Sequence, residues 1–309
     1  MTNKIIAIQG NHPSKLNPLT DTTIFLATEA QNKRYKVFYY EPRDLSIINN
    51  RVVANGFFVK FNNRSKKFFK IIKHQKLDLV NCKFILIRQD PPFNIEYITT
   101  TLILEKISKK VKIINNPKSI RNISEKLYSS FFQKYMPPSI FTKNLLNIEM
   151  FYKKYKKIII KPIHGFGGND IHLIKDNFKK KFISKLIKKH GHLMCQKFLP
   201  AIKNGDKRVF LINGKICGAI SRVPKKGSFL SNMSKGAIPI LTKLTKIEKK
   251  ISHIIGINLK KQDIYIAGID FIDEKLNGDI NVTSPTGLKT YYDLSKINLA
   301  KKFWKGLKI

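Results

Sequence analysis

Residues 1–118 alternate strand-like and helix-like segments, and this alternation constrains the fold more than any other feature of the chain. "KIIAIQ" (Lys4–Gln9) reads as a first strand, followed by a helix over "TDTTIFLATEAQNKR", with Thr20 or Asp21 placed as its N-cap. "YKVFYYE", "VNCKFILIR" (Val80–Arg88) and "VKIINN" read as further strands, and "IEYITTTLILEKISKK" (Ile95–Lys110) as an amphipathic helix. Strands that recur through intervening helices form a parallel sheet with helices on its faces. The segment carries no GxGxxG, so a dinucleotide site is not supported. "RVVANGFFVKFN" (Arg51–Asn62) fits an inserted hairpin or a loop equally well.

The second half carries the chemistry-bearing segments. "RNISEKLYSSFFQKY" (Arg121–Tyr135) reads as one helix, with Asn122 and Glu125 spaced as a capping box and Lys126 as a surface lysine. "IIIKPIHGFGGNDIHLI" is a strand, a glycine loop and a strand, with Lys161 at the first strand's end and Gly165, Gly167 and Gly168 in the turn. Residues without side chains let backbone N–H groups approach phosphate oxygens. A plain glycine turn is the alternative, since no Lys-Ser/Thr follows as in a Walker loop. In "GDKRVFLINGKICGAISRVP", Asn213-Gly214 joins two strands, and Arg208 and Arg222 are candidates for phosphate contact through their planar forks. "RQDPPFNIEYI" places Arg88 at a strand end, where open α/β sheets bind ligands, before a rigid Asp-Pro-Pro.

"YIAGIDFIDEKLNGDINVTSPTG" (Tyr265–Gly287) reads as two strands joined by a tight turn at Asn277-Gly278. Asp270 lies on the first strand, and Asp279 and Asn281 share a face of the second. Three oxygen ligands around a gap fit a Mg²⁺ site completed by water and phosphate oxygens, and the polar face of an ordinary hairpin is the alternative.

The chain has 309 residues and a net charge of +39, from 59 Lys and Arg against 20 Asp and Glu. The excess is mainly Lys spread along the whole chain beside abundant Ile and Asn, a compositional bias. A nucleic-acid footprint clusters, favours Arg and interleaves exposed aromatics. The field nonetheless attracts anionic substrates. The three cysteines lack CxxC spacing, so neither a disulfide framework nor a zinc site is expected. No apolar run approaches the roughly 20 residues of a spanning helix, and no signal peptide is evident, which leads to an expectation of the cytoplasm.

In order and content these motifs resemble the bacterial glutathione synthetases of the ATP-grasp ligase superfamily. The likeness runs through nearly the whole chain and is carried by "RQDPPFNIEYI", "NNPKSIRNISEKL", "IIIKPIHGFGG", "QKFLPAIKNGDKRVFLINGK", "SRVP" and "GDINVTSPTG". The resemblance implies an α/β fold, α+β in its ATP-binding part. A Rossmann-like parallel α/β substrate domain over 1–118 would precede an ATP-grasp domain over 119–309, with antiparallel sheets and a lid around 120–200. It implies an ATP-dependent carboxylate–amine ligase that joins glycine to γ-glutamylcysteine through an acyl phosphate, using Mg²⁺ or Mn²⁺. Lys126, Lys161, Gly165, Phe166, Gly167 and Gly168 would meet ATP phosphates. Gln196, Lys197, Phe198 and Leu199 would line the adenine pocket, with Asp206 near the ribose. Arg208 and Arg222 would be catalytic, and Asp270, Asp279 and Asn281 would hold metal. Arg88, Ser284, Pro285 and Thr286 would face the peptide substrate. A homo-oligomer, with neither membrane nor nucleic acid as partner, is also implied.

The chain departs from the family in having Asp279 where Glu is usual, and in having Leu230 and Ser234-Lys235-Gly236-Ala237 in a segment (227–237) that usually carries arginines and glycines. His164 stands where an acid is common. A ligase with another acceptor, or a basic binding protein on an inactivated ligase scaffold, are the alternatives these departures and the charge raise.

Overall fold

A computed structural model describes residues 4–62 and 67–308. The N-terminal part builds a seven-stranded sheet from β1 (Ile5–Gln9), β2 (Lys36–Tyr40), β3 (Leu45–Ile48), β4 (Arg51–Phe61), β5 (Phe69–Asp78), β6 (Phe84–Ile87) and β7 (Lys112–Ile114). The strands β2-β1-β6-β7 are parallel, as the alternation requires. The ambiguous 51–62 segment is the long strand β4, which pairs antiparallel with β2, β3 and β5 and extends the sheet on one side.

Helices α1 (Thr22–Asn32) and α2 (Ile95–Glu105) connect strands of this sheet, and α3 (Pro117–Asn122) follows its last strand. Asp21 is the N-cap of α1, accepting from the Ile24 N–H at 2.8 Å, and Asn94 caps α2 through Tyr97 N–H at 3.0 Å. Alternation along β1 separates the two faces: Ile6 and Ile8 pack with Ile24 and Leu26 of α1, and Ala7 packs with Leu104 and Ile120 of α2 and α3.

The expected helix over 121–135 is broken. α3 ends at Asn122, and residues 127–135 form a 3₁₀ run interrupted at Phe132. Asn116 rather than Asn122 caps α3. Glu125 is drawn away from any capping role by hydrogen bonds to residues 282 and 283. The capping box of this chain is Thr245 with Glu248, further on.

A four-stranded antiparallel sheet follows, with β8 (Ser139–Thr142), β9 (Ile158–Pro162), β10 (His172–Ile174) and β11 (Leu193–Lys197) in the order β10-β9-β11-β8. It is covered by α4 (Leu145–Tyr155) and α5 (Lys180–His190), whose Ile148, Phe151, Ile183 and Leu186 meet Ile158, Ile160 and Leu193 in a core of their own.

The last sheet has five antiparallel strands in the order β14-β13-β12-β15-β16: β12 (Asp206–Ile212), β13 (Lys215–Val223), β14 (Ile238–Leu241), β15 (Ile266–Ile272) and β16 (Lys275–Asn281). Asn213-Gly214 makes the β12–β13 turn with both residues at positive φ, +51° and +74°. The β15–β16 turn is not at Asn277-Gly278, as the sequence suggested, but at Asp273-Glu274, with φ of +47° and +61°. Gly278 keeps its positive φ inside β16, where a Cβ would overlap Met194 Cε, so the glycine serves a close approach between sheets instead of a turn. Helix α6 (Lys246–Lys261) packs on this sheet, and α7 (Leu288–Ser295) and α8 (Leu299–Gly306) return the chain to α1, where Trp304 Nε1 donates to Leu26 O at 2.9 Å.

Candidate active site

A cavity of about 860 Å³ lies between the four-stranded and five-stranded sheets, with loops of the N-terminal part closing one end. The five-stranded sheet supplies a ladder of opposite charges across adjacent strands. In register, Arg208 lies opposite Asp270 and Asp206 opposite Arg222. Asp206 and Arg208, two apart on β12, share the cavity face. Arg208 Nε and Nη2 donate to the two Asp270 oxygens at 2.6 and 2.7 Å, and Arg222 Nε and Nη2 donate to Asp206 at 2.8 and 2.5 Å. Arg222 also reaches Asp270 Oδ2 at 3.0 Å, which ties the two pairs together. All four are buried. Gly268 leaves room for the Arg208 stem, since a Cβ there would come within 2.9 Å of Arg208 Cδ.

Burial alone would push the Asp270 carboxyl up, but Arg208 and then Arg222 outweigh it and hold the acid well below the usual carboxylate range. Burial likewise opposes the charge on Arg222, and Asp206 and Asp270 reverse the balance and raise its value.

The second cluster is built on Asp279. Lys126 Nζ lies 3.3 Å from its Oδ1 and Lys161 Nζ 3.5 Å from its Oδ2. Lys126 is 5 % exposed and Lys161 4 %, so the sequence reading of Lys126 as a mid-helix surface residue is corrected: it precedes the 3₁₀ run and points inward. Lys126 Nζ also donates to Gly165 O, and Lys161 Nζ to Asn277 O at 2.8 Å and Oδ1 at 3.0 Å. Burial is the largest influence on Lys161 and lowers its value, with Asp279 partly restoring it. Burial raises the Asp279 carboxyl, but the lysines prevail and lower it.

Asn277, Asp279 and Asn281 share one face of β16, so the expected pairing of Asp279 with Asn281 on one face stands even though the turn has moved. Asp270, Asp279 and Asn281 all line the cavity. Among the described residues no group of three or more His, Cys, Asp or Glu side chains gathers to hold a metal. Two carboxylates and one amide fit a cation that completes its shell with phosphate oxygens and water.

The glycine loop covers one side of the cavity with Gly165, Phe166, Gly167 and Gly168, the last two at φ of +62° and +77°. The loop 229–235 faces it: Lys235 Nζ donates to Asn169 Oδ1 at 2.9 Å, and Asn232 Oδ1 lies where a Cβ on Gly168 would fall. Gln196, Lys197, Phe198 and Leu199 line the wall beside β11, with Gln196 Nε2 donating to Ser139 Oγ at 3.0 Å. Ser284 and Thr286 line the cavity at the end of the N-terminal sheet, near Asp21 and Asp90.

Arg88 does not sit on this surface. It is buried behind the turn, donating to Thr23 Oγ1 and to Pro285 O, each at 3.1 Å, and its carbonyl accepts from Ser284 Oγ at 3.3 Å. In this structure Arg88 braces the 284–286 turn, which faces the cavity through Ser284 and Thr286. Sequence reasoning missed Asn277, read as a turn residue, and Glu125, read as a cap; both signals were local, and only strand register shows where these side chains point.

Residues 5–121 match the N-terminal domain of prokaryotic glutathione synthetase, and residues 125–296 match the ATP-grasp domain of the same family. The chain is 34% identical over 302 residues to a glutathione synthetase of Rhodopseudomonas palustris, covering 97% of this chain and 96% of that protein. It is 36% identical over 279 residues to one of Buchnera aphidicola subsp. Baizongia pistaciae, covering 88% of this chain and 86% of that protein. Among solved structures it is similar to the D-cycloserine synthetase DcsG, with a TM-score of 0.67 at 10% identity over 98% of each chain. It is also similar to D-alanyl-alanine synthetase A from Vibrio cholerae, with a TM-score of 0.60 at 13% identity over 97% of this chain and 96% of that one. At such identities these two likenesses bear on the fold alone.

Proposed function

The chain belongs to the prokaryotic glutathione synthetase family, and from that premise we propose how its residues carry out the reaction. The protein is an ATP-dependent ligase that joins glycine to γ-L-glutamyl-L-cysteine, giving glutathione, ADP and phosphate. The carboxylate of γ-glutamylcysteine attacks the γ-phosphorus of ATP, the bond to ADP breaks, and an acyl phosphate forms. The glycine amine then attacks the acyl carbon, phosphate leaves with its bonding electrons, and the amine gives up a proton to the medium.

Residues 1–118 serve as the substrate part and 119–309 as the nucleotide part, with the lid around 120–200. Lys126 and Lys161 neutralise the transferring phosphoryl group, which needs charge and alignment more than it needs a base. Arg208 and Arg222 offer flat two-pronged donors to the acyl phosphate, and to the oxyanion formed when the amine attacks. Asp270, Asp279 and Asn281 would hold Mg²⁺ or Mn²⁺, which when bound supplies further positive charge to the phosphate oxygens. Gly165–Gly168 close over the phosphates. Gln196–Leu199 hold the adenine and Asp206 lies toward the ribose. Ser284, Pro285 and Thr286, backed by Arg88, receive the peptide. The glycine loop and the 229–235 loop keep water from the acyl phosphate, which would otherwise hydrolyse.

The observation that carries this reading is the convergence of Lys126, Lys161, Arg208 and Arg222 on Asp279, Asp270 and Asp206 within one cavity. The test is the purified protein with Mg²⁺-ATP, γ-glutamylcysteine and glycine, following ADP and product mass with each substrate omitted in turn. Glutathione formed only in the complete mixture is the expected result. Leu230 in the 229–235 wall, in place of the usual arginine, favours a second reading, in which the acceptor is another amine. ADP release that needs an amine other than glycine would establish it.

A further inference from the structure

Glu125 binds the two working parts of the cavity to each other. Its carbonyl accepts the Ile280 N–H at 3.1 Å, placing it alongside β16 between Asp279 and Asn281. Its side chain turns the same way: Oε1 accepts Val282 N–H at 2.9 Å, Thr283 N–H at 3.0 Å and Thr283 Oγ1–H at 2.8 Å. One residue thus takes hydrogen bonds from the strand that carries the oxygen donors and from the start of the 283–286 turn. The next residue, Lys126, sends its Nζ to Asp279 and to Gly165 O of the glycine loop. A carboxylate oxygen with three donors is charge-assisted and directionally saturated, so it fixes position more firmly than a single neutral bond.

We propose that Glu125 is a positioning residue that sets Asp279, Asn281 and the 283–286 turn at fixed distance from Lys126, so that phosphate-bound cation and peptide carboxylate are held in one geometry. The proposal rests on the phosphoryl-transfer reading above. It predicts that loss of Glu125 weakens cation binding and turnover while leaving the adenine wall at Gln196–Leu199 untouched.

The experiment compares wild type with Glu125→Ala, Glu125→Gln and Thr283→Val. It measures Mn²⁺ affinity in the presence of ADP by electron paramagnetic resonance, and then kcat, KM for ATP and the Mg²⁺ concentration for half activity. Glu125→Ala should weaken Mn²⁺ binding and lower kcat by roughly 10- to 100-fold, with KM for ATP shifting far less. Glu125→Gln, whose remaining oxygen still accepts the same donors, should recover to within about fivefold of wild type. Thr283→Val removes one of the three bonds and should weaken Mn²⁺ binding by about fivefold, which serves as the decisive variant should Glu125→Ala not fold. Mn²⁺ affinity unchanged in Thr283→Val, or in a folded Glu125→Ala, overturns the proposal. So does a Glu125→Gln as damaged as Glu125→Ala, because the carboxylate would then be acting on the ligands directly. A wild type that binds ADP and Mn²⁺ but makes no glutathione, with Mn²⁺ binding still lost in Glu125→Ala, supports this role and removes only the substrate assignment.

Discussion

At the scale of single residues, Lys161 is the most exposed to test, because burial and function pull its proton in opposite directions. Its charge is present below its own pKa and is lost as pH rises through it, and burial has brought that value below the ordinary lysine range. ATP affinity should therefore fall on the alkaline side before free lysine titrates, and titrating the binding of a non-hydrolysable ATP analogue against pH will locate that limb. Lys161→Met should weaken ATP binding by about 10- to 100-fold and abolish the alkaline limb, the cost of one charge-assisted contact. Asp270 behaves in the opposite sense. Its depressed pKa contributes stability that is complete above the unfolded value of about 3.9 and fades as pH falls through the native one. Asp270→Asn should thus lower stability by about 3 kcal/mol at neutral pH, because Arg208 and Arg222 lose a shared buried partner. The gap between the urea midpoints of the two proteins should hold down to about pH 4 and narrow progressively as pH falls further, toward the depressed native value. The identity of these residues was readable from the sequence because motif order placed them. The contact of Arg208 with Asp270 was not, since nothing local in "GDKRVF" or "YIAGIDFI" says that their strands are neighbours.

At the scale of elements, the charge ladder on β12, β13 and β15 is set by register. On the proposed roles, a phosphate bound by Arg208 or Arg222 would compete with Asp270 for them, and a cation on Asp270 would compete with the arginines. Nucleotide and cation would then each favour the other's arrival by the same factor, as linkage requires. The β15–β16 hairpin shows where sequence logic failed. Asn-Gly is the stronger turn signal by propensity, yet Asp273-Glu274 turns and Gly278 faces Met194. Packing between sheets overrode local preference, a non-local influence that no window of sequence contains. Gly278→Ala meets both Met194 and a φ of +84°, and should cost about 2 kcal/mol in the urea midpoint. Measured in a Met194→Ala background, Gly278→Ala should cost less, by its steric part alone. The broken helix at 121–135 has the same origin, because the partners of Glu125 lie 157 and 158 residues away.

At the scale of the whole molecule, the parallel sheet was legible because strand–helix alternation is a local pattern, whereas the long antiparallel β4–β5 arm was not, because its partners are set by pairing. The positive charge is divided in kind: Lys126 and Lys161 are buried in the site, while the lysines of α5 and α6 face outward on basic, amphipathic helices. The return of α7 and α8 to α1 joins the ends of the described chain. Trp304 is fully buried against Phe84 and Leu26 O, so Trp304→Ala should cost about 3–5 kcal/mol, read as a lower urea midpoint, and should loosen the N-terminal sheet at a distance from the cavity. This closure carries a consequence for how the chain is made. Trp304 meets Leu26 across 278 positions of sequence. At synthesis rates of about 5–20 residues per second, α1 waits tens of seconds on the ribosome with its apolar flank unmatched before the residues that cover it emerge. Helix α1, translated long before α8, is thus finished only after it.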